Sequence, residues 1–96
     1  MNRPTRKISS RAIVNAVSAA FDVPVTQIYG GRREASTSAA RHAAAWLIHD
    51  LTDMSTPQIG RALGGRDHTT VLHAVRKIGG ERTKNTELNQ QLHVLE

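Results

Sequence analysis

The sequence predicts an all-α fold, a small helical bundle of about five helices. Three observations point there. Apolar residues recur at helical spacing along most of the chain, as in Ile13, Val14, Val17 and Phe21. The apolar set is drawn mostly from Ala, Val, Leu and Ile, and aromatics are limited to Phe21, Tyr29 and Trp46; the alanine clusters favour helix over strand. Ser, Thr, Pro and Gly stand where helices start and stop rather than inside the periodic runs.

Taken in order, the first helix starts near Ser9 or Ser10, either of which can cap free N–H groups. Asp22-Val23-Pro24 ends it, because a proline disfavours helical geometry in the residue before it. A short helical turn fits Thr26–Tyr29, and Gly30-Gly31-Arg32-Arg33 reads as a flexible basic loop. Ser36, Thr37 or Ser38 caps the next helix, which runs to about Thr52 with Ala40, Ala43, Ala44, Leu47 and Leu51 on one stripe. Trp46 and Ile48 flank that stripe, and this is the expected central core helix. Ser55 or Thr56 caps a further helix, with Pro57 in its first turn, where a missing N–H is harmless. It holds Ile59, Ala62 and Leu63 and ends at Gly64-Gly65, which can take positive φ. Another helix is expected from about Asp67 to Ile78, with Val71, Leu72, Val75 and Ile78 buried and Gly79-Gly80 as its stop. Leu88, Leu92 and Leu95 mark a last amphipathic helix that folds back on the core. Residues 1–8 form a basic arm, residues 9–96 form one domain, and Met1 with the short arm reads as a natural start.

Composition narrows the function. Thirteen Lys and Arg against eight Asp and Glu leave a net charge of +5. Residues 1–33 carry six basic groups and one acid, Asp22. Such a balance suits a polyanionic partner. There is no cysteine, so disulfides and thiolate metal sites are excluded. No apolar run approaches the roughly 18 residues of a membrane span, and no secretory signal pattern follows the basic start. A cytoplasmic, nucleoid-associated location is expected.

Residues 56–78 read as a helix-turn-helix: two short helices joined by a glycine-containing turn. The second helix has a polar first turn and an apolar inner face, so it can lie in a major groove with its back on the domain. Asp67 can accept from a cytosine amino group, His68 can donate to or accept from a base edge, and Thr69 offers both a methyl and a hydroxyl. Arg66 and Thr70 suit phosphate. Asp67 is also a good N-cap, and the two roles are compatible.

The run Gly64-Gly65-Arg66-Asp67-His68-Thr69-Thr70-Val71-Leu72-His73-Ala74-Val75-Arg76-Lys77-Ile78 resembles the signature segment of the DnaA family almost residue for residue. The resemblance extends to Leu51-Thr52 and Pro57-Gln58-Ile59-Gly60, and more loosely to Arg33 and the first helix. It covers only the C-terminal DNA-binding domain of that initiator; no Gly-rich phosphate loop followed by Lys-Ser or Lys-Thr is present. It implies that Asp67, His68 and Thr69 read bases in the major groove of an A·T-rich DnaA box, with Arg33 in the adjacent minor groove. Arg41, Thr52, Arg66 and Thr70 would hold phosphates. The chain departs from the family at His42, His49, Gly31 and Ala35, where basic or amide residues are usual, and Glu34 follows Arg33, where its charge opposes phosphate. These changes spare the reading turn and thin the backbone grip, so lower affinity is expected.

The implied partner is double-stranded DNA, bound by a monomer in replication initiation or its regulation. No cofactor, metal or catalytic residue is expected. His42 and His49 stand seven apart on one helix, but no third ligand joins them at suitable spacing. Asp67 and His68 are neighbours on a helix end and do not converge on a pocket. The alternative is a small protein-interaction module or transcriptional regulator, acting on an initiator or a promoter through its basic face or terminal leucines.

Overall fold

The computed structural model describes residues 9–30 and 35–95. The basic arm and Arg33 lie outside the described residues. Within them the chain forms six helices and no strand.

Helix α1 (Ser10–Phe21) opens on Ser9, whose hydroxyl accepts from the Ala12 N–H at 3.1 Å. It closes on Asp22 in the left-handed region, φ 55°, with the Val23 N–H bonded back to the Ser18 carbonyl at 3.1 Å. Pro24 then leads directly into α2 (Val25–Tyr29), a single turn of helix. Helix α3 (Ala35–Leu51) is the centre of the domain and packs against all five others. Ala40, Ala43, Ala44 and Ala45 are buried along it, and their small side chains let neighbouring helices approach closely.

Helix α4 (Thr56–Ala62) begins with a full capping box: Ser55 accepts from the Gln58 N–H, and the Gln58 side chain accepts from the Ser55 N–H at 2.8 Å. Helix α5 (His68–Glu81) buries Val71, Ala74 and Ile78. Leu72 and Val75, expected in that stripe, are half-buried and flank the inward-facing 71–74–78 stripe. Helix α5 also runs through Gly79-Gly80 instead of stopping there. Gly79 faces Trp46, and Arg82 lies over the Trp46 ring at 4.7 Å, so tertiary packing carries the helix past two residues of poor propensity. Helix α6 (Thr86–Leu95) starts at Asn85, whose side chain accepts from the Leu88 N–H at 3.0 Å. It folds back on α1 and α3 through Leu88 and Leu92.

Candidate nucleic-acid interface

The link between α4 and α5 is built by glycines. Gly64 and Gly65 hold φ of 91° and 81°, which side-chain-bearing residues rarely adopt. The Gly65 and Arg66 N–H groups both donate to the Gly60 carbonyl, at 3.0 and 2.8 Å. Gly60 is buried, and a Cβ there would stand 2.0 Å from the Arg66 carbonyl oxygen. Only glycine lets the turn fold back onto α4 this tightly.

The turn delivers Asp67 as the N-cap position of α5. Its side chain makes no cap bond to the backbone. The carboxylate instead accepts from the Thr69 hydroxyl at 2.8 Å and lies 3.1 Å from His68 Nδ1. The Thr69 hydroxyl, foremost, holds the Asp67 carboxyl below the usual carboxylate range, so it is ionised at neutral pH. Asp67 and His68 side chains are 66% and 57% exposed, which leaves their polar atoms open to an incoming partner. Thr69, Thr70, His73, Arg76 and Lys77 are exposed as well. The outer face of α5 is therefore polar, with Arg76 and Lys77 as its cations, while Val71, Ala74 and Ile78 tie its back to the domain.

Two arginines behind this turn point inward. Arg41 is buried, at 9% exposure, and donates to the carbonyls of Ile28, Gln27 and Gly30 at 2.9, 3.0 and 2.8 Å. Arg66 is half-buried and donates to the carbonyls of Tyr29, Leu63 and Gly30. Burial first, then the Arg66 charge, lowers the proton affinity of Arg41; both guanidinium groups stay charged at neutral pH.

Residues 10–78 match the bacterial DnaA protein helix-turn-helix family. The chain belongs to that family. It is 53% identical over 91 residues to the chromosomal replication initiator protein DnaA of Leptothrix cholodnii, covering 95% of this chain and 18% of that protein. Against the same-named proteins of Methylibium petroleiphilum and Burkholderia multivorans the identities are 54% and 47%, again over 95% of this chain, and over 20% and 17% of theirs. The chain thus spans about a fifth of the length of these initiators. DNA binding is the activity that membership of the DnaA helix-turn-helix family supports.

Within this DnaA-family domain the sequence-derived site separates into parts. Asp67, His68, Thr69 and Thr70 come together on one exposed turn. Arg33 lies outside the described residues, but the loop that carries it leaves from Gly30, beside the α4–α5 turn. Arg41 and Arg66, expected at phosphates, direct their donors to backbone carbonyls. The Thr52 hydroxyl donates to the Ile48 carbonyl at 2.6 Å and accepts from the Met54 N–H at 3.2 Å, closing the end of α3.

Two residues gain a physical role only from the structure. Gly60 was read as part of a family motif without a physical role; its neighbour across the turn, six residues on, supplies that role. His42 is half-buried beside Lys77 and Glu81 on a cleft of about 410 Å³ between α3, α5 and α6. Burial first, then the charges of Lys77 and Arg41, lower its proton affinity against the opposing pull of Glu81. Among the described residues no three His, Asp or Glu side chains gather as a metal site, and no helix is long and apolar enough to cross a membrane.

Proposed function

We propose that this chain binds double-stranded DNA sequence-specifically at A·T-rich boxes of the DnaA type, as a monomer, in replication initiation or its regulation. The observation that carries the reading is the exposed Asp67-His68-Thr69 turn on a helix whose back is anchored in the core. A major-groove reader needs that division between an outward polar N-terminus and a fixed inner face. Ionised Asp67 accepts from a cytosine amino group, His68 meets a base edge, and the Thr69 methyl packs on a thymine methyl. The Thr69 hydroxyl already donates to Asp67, which holds both side chains in one arrangement before DNA arrives. Thr70 supplies a phosphate contact, whereas the Thr52 hydroxyl reaches a phosphate only by giving up the Ile48 carbonyl, and Arg33 enters the neighbouring minor groove, where A·T-rich DNA is narrow and electronegative.

The test compares a box duplex with a scrambled duplex of equal composition at fixed salt. His68→Ala or Thr69→Ala costs about 1–3 kcal/mol on the box, the range of a good base contact. Scrambled binding changes little, because phosphates supply that affinity. Arg33→Ala weakens binding most where the flanking minor groove is A·T-rich. If His68→Ala and Thr69→Ala stay folded and keep the wild-type ratio of box to scrambled binding, α5 is not the reader.

A further inference from the structure

A helix leaves its last four carbonyls without intrahelical partners. In α2, only five residues long, these are a large share of the backbone. The carbonyls of Gln27, Ile28, Tyr29 and Gly30 are all met by guanidinium donors from Arg41 and Arg66. Gly30 accepts from both. One arginine comes from the core helix α3, and the other from the turn that precedes α5. Gly64 completes the contact: a Cβ there would stand 2.4 Å from the Tyr29 carbonyl oxygen and 2.9 Å from Arg66 Nη1.

The ends joined in this way are the two ends that matter for DNA. Gly30 is the last described residue before the loop with Arg33. Arg66 directly precedes Asp67. The two like charges that converge on the Gly30 carbonyl repel each other, and each guanidinium offsets this with three carbonyl acceptors.

We propose that Arg41 and Arg66 form one positioning device, which locks the root of the Arg33 loop to the turn that launches α5 and so sets the spacing between the minor-groove and major-groove readers. Neither residue needs to touch DNA for this. The planar fork is essential: a lysine ammonium keeps the charge but cannot satisfy three carbonyls held in fixed directions. The DNA part of the test rests on the box-binding reading; the exchange part does not.

Amide hydrogen exchange on the free protein comes first. Arg41→Lys is expected to speed exchange over residues 25–30 by about tenfold, while α5 keeps its protection. Unchanged exchange there overturns the proposal. Binding comes second. Arg41→Lys and Arg41→Ala both lose about tenfold in box affinity, and scrambled binding stays within about twofold, with an unchanged salt slope. Arg33→Ala costs less in the Arg41→Lys background than in wild type, since the loop is already misplaced. If lysine restores what alanine loses, or if box and scrambled binding fall in the same ratio, Arg41 is a phosphate contact and the proposal fails. Should Arg41→Lys not fold, Arg66→Lys at its half-buried position takes its place with the same expectations. If the wild type itself does not prefer the box, the functional reading fails, and the exchange result alone decides the lock.

Discussion

Replacing Gly60 with alanine adds a single methyl group at the tightest point of the helix-turn-helix. The new Cβ would lie 2.0 Å from the Arg66 carbonyl oxygen, a backbone atom that cannot swing away. The turn must open, and with it go two hydrogen bonds to the Gly60 carbonyl, from Gly65 and Arg66. Each such bond contributes about 1 kcal/mol net. Overpacking at a buried site costs about 1–3 kcal/mol more. Alanine returns up to about 1 kcal/mol in helix propensity. The balance is a loss of about 2–4 kcal/mol. For a chain of this size, that lowers Tm by about 8–32 °C at 4–8 °C per kcal/mol. The sole tryptophan, Trp46, reports unfolding by fluorescence alongside circular dichroism. Arg66 and Asp67 move with the turn, so box binding falls more than scrambled binding even in the folded fraction. A Gly60→Ala protein as stable as wild type would refute the close-approach argument, because propensity alone would then have decided the outcome.

Gly80→Ala has the opposite sign: Gly80 is helical, a Cβ there meets nothing within 4 Å, and thermal melting shows a gain of about 0.5–1 kcal/mol. Gly65→Ala finds open space too, but its φ of 81° makes it cost about 1–2 kcal/mol in a urea melt, with no loss of packing. His42 has a folded proton affinity below its unfolded one, so the unfolded state binds more protons and stability falls as pH drops below about 6.5. In His42→Gln, melting temperatures measured from pH 7.5 to 5 lose that part of the slope; an unchanged slope would assign it to other groups.

Much of the molecule follows from chemistry within a few residues of chain. Ser9 caps α1, Ser55 and Gln58 box the start of α4, Pro24 breaks α1 from α2, and Gly64-Gly65 turn with positive φ. Each of these is a contact over one to three residues or an intrinsic backbone preference, so sequence alone determines it. The helical stripes of α1, α3 and α6 were legible for the same reason, since periodicity is local. The exposed turn was legible because Asp67-His68-Thr69 stands just after a glycine turn and just before an apolar stripe. Tertiary structure decided the rest. Helix α5 continues past Gly79-Gly80, with Gly79 against Trp46 and Arg82 stacked over the same ring, contrary to the local preference of two glycines. Counting α2 as a true helix depends on donors that lie 11 to 37 residues away in sequence. Arg41 and Arg66 are cations by composition, and a cation in a basic DNA-binding chain is first read as a phosphate contact. Whether a guanidinium turns outward to an anion or inward to carbonyls depends on which backbone ends the fold leaves unsatisfied beside it, and these come together only once α2, α3 and the α4–α5 turn have packed.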